Sequence, residues 1–493
     1  MGNITFNSLS WADDLVLCST TPQGLQRCLN KLESYSTRWG LTVNERKSKC
    51  MTFSTGQNRT PTISHYNDKK LDHVNSFTYL GIDLQSNGKY KSAIQSRICK
   101  ANRAIFVYKQ ALKTTGNINT RLSMSIFEKQ IVPILTYGCP LWSLPNTTNY
   151  IILTGTNNIQ QGKEYIYNIT GKNIRYSWVR DTTCRRQPSA PCKLLLNIEN
   201  YEDKELVLVN RHKLPTGINI SDNNFDYDSL SYEKVQTNFC KFILNLPRQA
   251  GNNACRGEIG KFPLANKMWS LAIKYWHRLE RGTDNVFLNN AYVSAKEDNH
   301  MWTQQIKSIL VKFGMGNIWN NPLAYTTNYV GKTFENRMND MSMQTWYSSQ
   351  FESSRFKLQA SIHTEYKMSP YLDNMIDIES RNIISRLRLD MNYLNECMFR
   401  QKRAASFYCP HCPNIRESVK HFITECPFYA VHRDILYDSL SNTFDREHFS
   451  HLIDDNKLSY ILNVTDNRHS NAISKFIKTI YEIRKNLQPG VLH

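Results

Sequence analysis

Two short apolar runs open the chain, residues 4–10 and Leu15-Val16-Leu17-Cys18, and they flank Trp11-Ala12-Asp13-Asp14. The pattern predicts two strands of a hairpin with adjacent carboxylates at its tip. Thr20, Thr21 and Pro22 then predict a helix start, because a hydroxyl can cap free amides and proline fits the first turn. Leu25, Leu29, Leu32, Ser36 and Trp39 recur at helical spacing, with Cys28 and Tyr35 beside them. That face is expected to pack on a sheet, and Gly40 to end the helix. Leu41-Thr42-Val43 and Cys50-Met51-Thr52-Phe53 read as returning strands around the basic turn 44–49. Residues 77–84 read as a strand, followed by a tight turn at Ser86-Asn87-Gly88.

Further on the period becomes helical. Ile94, Ile98, Ala101, Ile105, Tyr108 and Leu112 alternate at spacings of four and three from Lys91 onward, with Lys100 and Arg103 leaving toward other faces. A second helix is predicted from Thr120 to about Ile131, stopping before Pro133. Residues 146–230 are rich in Asn, Thr, Tyr and Asp, have weak periodicity and contain Arg185-Arg186-Gln187-Pro188-Ser189-Ala190-Pro191, so an insertion or loose linker is expected. Helical signals return at Val235, Phe239, Phe242, Ile243 and Leu246. They continue at Leu264, Met268, Leu271, Ala272, Tyr275 and Leu279, a stripe that Trp269, Ile273 and Trp276 widen. Trp302, Ile306, Ile309, Leu310 and Phe313 mark another helix, ended by Gly314. Exposed aromatics can stack on bases, but at helical spacing these rings are read as core.

Composition narrows the choice of partner. At 493 residues the chain holds two or three domains, and its net charge of +19 calls for an anionic partner, nucleic acid first. No apolar run is long enough to span a bilayer, so no membrane partner is expected and a membrane-surface role is the weaker alternative, and the first residues do not form a signal peptide. Thirteen cysteines, mostly at irregular spacings, are expected to be reduced thiols of a nuclear or cytoplasmic protein. Asn-x-Ser/Thr matches at Asn3, Asn146, Asn168 and Asn219 carry no weight for such a chain.

One cysteine group is not scattered. Cys409 and Cys412 are two apart with respect to intervening residues, His421 follows after eight more, and Cys426 after a further four. Three thiolates and one imidazole suit a closed tetrahedral Zn2+ site, structural rather than hydrolytic. His411 and His432 compete with His421 for the imidazole position.

The order of these motifs resembles the reverse transcriptase of LINE-type (non-LTR) retrotransposons. The resemblance is carried by Trp11-Ala12-Asp13-Asp14-Leu15-Val16-Leu17, then Gly24-Leu25-Gln26, then Trp39-Gly40-Leu41-Thr42-Val43-Asn44 with Lys47-Ser48-Lys49. It continues through Phe77-Thr78-Tyr79-Leu80-Gly81-Ile82 and Ile131-Val132-Pro133-Ile134-Leu135-Thr136-Tyr137-Gly138-Cys139-Pro140-Leu141-Trp142, and returns in residues 417–427, which look like the family's C-terminal zinc segment. Trp11 stands where the family commonly carries Tyr.

The resemblance implies an α+β fold: a small antiparallel remainder of the polymerase palm at residues 1–88, then thumb-like helices at 89–145. After the 146–230 insertion come a helical domain at 231–400, the CCHC zinc segment at 401–440 and a helical tail at 441–493. It implies Asp13 and Asp14 as ligands of Mg2+ in two-metal nucleotidyl transfer, with Lys47, or Lys49 as the fallback, beside the departing pyrophosphate. An ordinary solvated loop is the other reading of that turn. Tyr79 and Gly81 would lie on the hairpin that grips the primer end, although a glycine in a strand is as often a bulge. Lys49, Lys91, Lys100 and Arg103 would contact the RNA template and DNA primer. In the family a further palm aspartate precedes the hairpin and nothing before Met1 supplies it, so the chain alone is expected to show little or no polymerase activity. Two alternatives need less: a non-catalytic, zinc-containing nucleic-acid-binding protein, or a remnant of a mobile element.

Overall fold

The computed structural model describes residues 8–53, 63–115, 119–144, 150–156, 159–181, 192–198, 203, 206–207, 210–215, 218–222, 230–298, 300–352, 354–375, 377–441 and 452–487. The fold is α+β, mostly helical with small sheets. The chain forms two compact units, each drawn from three stretches: residues 1–97, 138–226 and 268–334 in one, and 98–137, 227–267 and 335–493 in the other.

In the first unit β1 (Ser8–Trp11) and β2 (Asp14–Leu17) form the predicted antiparallel hairpin, with Trp11 opposite Asp14. The helix Pro22–Trp39 begins as the sequence requires, Thr21 Oγ1 accepting from the Gly24 amide at 3.1 Å, and ends where Gly40 turns left-handed at φ 64°. Leu25, Leu29 and Leu32 pack with Leu17, Val43, Tyr66 and Leu71 into a small core. Ser36 belongs to that buried stripe because its hydroxyl meets the Tyr66 hydroxyl at 2.8 Å. Trp39 and Tyr35, expected on the packed side, are 62% and 56% exposed. The strands behind the helix are too short to cover more than a narrow stripe.

The expected returning strands are a correction. Residues 41–43 form none, and of 50–53 only Cys50 is in a strand: β3 (Lys49–Cys50), which pairs in parallel with β6 (Asp72–His73). A separate pair joins β4 (His65–Tyr66) to β5 (Lys69–Lys70). The backbone of the intervening segment is used in a turn, the amides of Lys47 and Ser48 donating to the Asn44 carbonyl at 3.1 and 3.0 Å. A one-piece antiparallel sheet is therefore replaced, among the described residues, by separate two-stranded pairs.

Residues 77–84 also fold back midway. β7 (Ser76–Tyr79) pairs with β8 (Ile82–Gln85), and Leu80 and Gly81 take φ 45° and 76° at the tip. Two positive-φ residues make a type I′ turn, whose twist matches the flanking strands. The turn predicted at 86–88 is present as well, the Gly88 amide donating to the Gln85 carbonyl at 2.9 Å.

Where a loose linker was expected, β9 (Tyr150–Thr156) lies between β11 (Cys192–Ile198) and β12 (Asn219–Asp222), with β10 (Tyr176–Asp181) outside β11, every pairing antiparallel. Leu153, Leu194, Leu196 and Ile198 bury against Ile166 and Ile169 of the helix Ile159–Thr170. The runs Ile151-Ile152-Leu153 and Leu194-Leu195-Leu196 are contiguous rather than alternating, so they lack the two-residue period that marks a strand. The proline-containing stretch 185–191 lies outside the described residues. Helices Leu264–Glu280 and Met301–Lys312 match expectation, and Gly314 at φ 66° follows the second. Buried Trp269 donates its indole N–H to the Ser143 carbonyl at 2.9 Å, and Trp302 donates to the Pro140 carbonyl at 2.8 Å.

The second unit is built from helices. Ile98, Ala101 and Ile105 of the helix Lys91–Thr115 are buried, and Phe127 stacks on Phe239 with ring centroids 4.6 Å apart. The helix Thr120–Ile126 does not stop before Pro133 but runs through a π-turn, Phe127–Ile131, into Val132–Thr136. The Val132 amide bonds back to the Phe127 carbonyl, and Pro133 then sits in the first turn of the next helical stretch, where an absent N–H costs little. Deeper in this unit Glu258 and Arg388 face each other with no side-chain exposure, Nε to Oε1 2.5 Å. Gln359 donates to the other carboxylate oxygen at 2.8 Å.

Candidate functional site

Asp13 and Asp14 reach the tip of the β1–β2 hairpin because a two-residue connection forces the chain to reverse there. Both are exposed, as are Trp11 at 69% and Leu9 and Leu15 at 43% each. Ala12 holds φ 54°, a left-handed conformation costly for a residue with a Cβ. Such a tip presents two carboxylates to solvent from a backbone held in one shape. That arrangement can bind a hard cation together with oxygens from a phosphate.

The basic turn is pinned at both ends. Glu45 meets Lys69 at 2.7 Å and Lys49 meets Asp72 at 2.6 Å, and each carboxyl is held below its ordinary range by the hydrogen bond from its lysine. Lys49 is thus engaged, whereas the Lys47 side chain stays exposed. Tyr79 is half-buried next to the hairpin turn, and the Gly81 carbonyl accepts a hydrogen bond from the Arg97 guanidinium. Lys91 is exposed on the first unit, and Lys100 and Arg103 are exposed on the second.

Cys409, Cys412, His421 and Cys426 do come together. All four are buried, and one ligand atom from each lies within 4.8 Å of the others. The Cys426 sulfur is 3.9 Å from that of Cys409 and 3.7 Å from that of Cys412. A tetrahedral ion with bonds of ~2.3 Å to sulfur spaces its thiolates by roughly 3.8 Å, which the two spacings from Cys426 match. The Nε2 atom of His421 is buried and has no hydrogen-bond partner among the described residues, as an unfilled ligand position would be. Burial pushes the Cys426 thiol up to about 12 and raises Cys409.

Local backbone bonds bring these side chains together. The Cys409 amide donates to the Ile415 carbonyl at 2.7 Å and the Ile415 amide to the Cys412 carbonyl at 3.2 Å, closing the loop between the first two cysteines. Ser418 accepts from the His421 amide at 3.1 Å, and a π-turn, His421–Glu425, places His421 and Cys426 on one side. His411 stacks on Phe428, rings 3.5 Å apart and nearly parallel, and is not in the group.

Sequence reasoning missed the residues that hold this segment. Buried Arg433 donates to the Cys426 carbonyl at 2.7 Å, and Glu417 pairs with Arg484 of the helix Ser470–Asn486. Arg433 is seven residues from Cys426, and its residue type alone shows only a charge. Nothing local in the chain marks Arg484 as the partner of Glu417.

Residues 3–84 match the family described as reverse transcriptase (RNA-dependent DNA polymerase). That stretch contains the Asp13-Asp14 hairpin, the basic turn and the Leu80-Gly81 hairpin. A Caenorhabditis elegans protein described as uncharacterized and transposon-derived is 25% identical over 143 residues, covering 28% of this chain. The chain thus spans about half, 48%, of that relative's length. No solved structure matches. Among the described residues, no helix is long and apolar enough to cross a membrane.

Proposed function

We propose that this chain is a C-terminal portion of a LINE-type retrotransposon reverse transcriptase, with a palm remainder, thumb-like helices and a zinc-bearing end, and that its partners are an RNA template and a DNA primer. The observation that carries the reading is the exposed Asp13-Asp14 tip lying inside the stretch that matches the reverse transcriptase family. Magnesium bound there would neutralise phosphate charge and stabilise the entering and leaving oxygens of nucleotidyl transfer. Asp13 and Asp14 would hold the ion, while exposed Lys47 could neutralise or protonate the departing pyrophosphate. Lys91, Lys100 and Arg103 would meet backbone phosphates without regard to sequence.

Two-metal transfer needs a further carboxylate facing these two. Among the described residues no third Asp, Glu, His or Cys joins Asp13 and Asp14 in a group able to hold an ion. The isolated chain should therefore bind a template–primer in a salt-dependent manner, bind Mn2+ through Asp13 and Asp14, and extend the primer little. Loss of the Mn2+ signal in Asp13→Asn with template binding intact is the expected result. Absence of template binding overturns the proposal. Vigorous magnesium-dependent extension that Asp13→Ala abolishes would instead show that the polymerase site is complete.

The converged cysteine–histidine group favours a second reading, in which the chain is a non-catalytic nucleic-acid-binding protein with a structural Zn2+. It predicts zinc near one per chain and strong template binding that Asp13→Asn and Asp14→Asn do not alter, with no Mn2+ bound at the hairpin.

A further inference from the structure

We propose that the outward face of the helix Pro22–Trp39 is a binding surface for single-stranded nucleic acid. Tyr35 and Trp39 stack on unpaired bases there, and Arg27, Lys31 and Arg38 take the phosphates. Arg27, Lys31, Tyr35 and Trp39 follow one another at intervals of four, and Arg38 lies three beyond Tyr35, so all five fall on one side of the helix. Arg27, Lys31 and Arg38 lie opposite Leu25, Leu29, Leu32 and Ser36, which face the small core, and the four-residue spacing carries Tyr35 and Trp39 round to the exposed edge of that packed stripe.

All three cations are exposed, and Tyr35 and Trp39 are 56% and 62% exposed. The two ring centroids are 6.2 Å apart, and the Arg38 guanidinium lies 5.8 Å from the centroid of the Trp39 ring. Glu33 is the helix's one acidic residue, and its offset of two from Lys31 and from Tyr35 sets it on another side. The charge of this face is thus uncompensated along the helix, and its complement is an anion.

The aromatic pair identifies which anion. Two large exposed rings beside a cation offer flat faces next to positive charge. A single strand presents phosphates and unstacked bases together, whereas a duplex keeps its base faces inside. Base stacking on aromatic side chains tolerates any sequence, and the cation over Trp39 strengthens rather than blocks such a platform. The choice of nucleic acid rests on the proposed function; the surface itself uses neither Asp13, Asp14 nor the metal group.

The test uses the full chain with a short fluorescent oligouridylate and a duplex of equal length, read by anisotropy at several salt concentrations. Tyr35→Leu with Trp39→Leu should weaken single-strand binding roughly tenfold or more and leave duplex binding unchanged. Trp39→Phe should retain most of the affinity. Arg27→Gln, Lys31→Gln and Arg38→Gln together should lower the salt slope for the single strand by about 2. Unchanged single-strand affinity in both sets of variants overturns the inference. So does loss of self-association in the leucine variant with RNA binding intact, which would make the face a protein contact. Failure of the unmodified chain to bind any nucleic acid would overturn the proposed function as well, so the two failures are distinguishable.

Discussion

Arg484 donates through Nη2 to Glu417 Oε2 at 2.8 Å, and both side chains are only 2% exposed. The same carboxylate oxygen accepts from the Asn395 amide at 2.6 Å, and Arg484 also reaches the Asn395 side-chain oxygen at 2.9 Å. Glu417 stands four residues before His421, so this network ties the cysteine–histidine segment to the helix Ser470–Asn486. A buried pair of this kind is hard to lose by halves, because removing one partner leaves a charge in a poor solvent.

Glu417→Gln and Arg484→Met should therefore each destabilise the protein by about 3–5 kcal/mol, while Glu417→Leu with Arg484→Leu should cost less than their sum. Urea unfolding of the three variants measures this. A single variant with an unchanged midpoint would show that the pair is not closed in solution.

The Glu258 carboxyl predicts a pH dependence. Burial alone would raise it, but the facing Arg388 guanidinium, with His363 at 3.3 Å, overcomes burial and holds it well below the ordinary glutamate range. A folded value depressed below the unfolded one contributes stability that is complete above the unfolded pKa and is lost as pH falls through the folded one. Lowering the pH from 7 into the acid range should thus lower the urea midpoint. Glu258→Gln should lower the midpoint at pH 7 and flatten its decline toward acid.

Metal content separates the histidines near the cysteine group. Native mass spectrometry should find one zinc per chain, lost in Cys426→Ser and His421→Ala but kept in His411→Ala, because His411 stacks on Phe428 instead of joining the group. Chelation under reducing conditions should lower the unfolding temperature by several degrees. Retention of the metal in His421→Ala would reassign the fourth ligand.

At the second hairpin, Leu80 occupies a left-handed position that leucine tolerates poorly, ahead of Gly81. Leu80→Asn creates the Asn-Gly pair favoured by a type I′ turn and should stabilise the protein by roughly 0.5–1 kcal/mol, even allowing for the loss of a partly exposed apolar side chain. A fall in urea midpoint would indicate a different turn, or a packing role for Leu80.

Much of the local structure could be read from the chain because its causes are local. Thr21-Pro22 and Gly40 bracket the first helix, the short link between the apolar runs sets the acidic tip, and the spacing of Cys409, Cys412, His421 and Cys426 anticipates their convergence. The sheet of residues 150–222 was not legible, since contiguous apolar runs in a polar surrounding carry no period that distinguishes a strand. Pro133 misled for a related reason: a π-turn two residues before it had already shifted the hydrogen-bond ladder, which the residue types do not announce.

By itself the sequence determined the caps, the turns and the order of chemically active residues, all of which depend on neighbours a few positions away. Tertiary structure alone decided that Tyr35 and Trp39 face solvent, that Lys49 is occupied by Asp72 while Lys47 is exposed, and that Arg484 closes on Glu417. Periodicity names the two sides of a helix, but how much of each is covered depends on the area of the element packed against it. A buried charge likewise finds its partner by proximity in space, which separation along the chain does not encode.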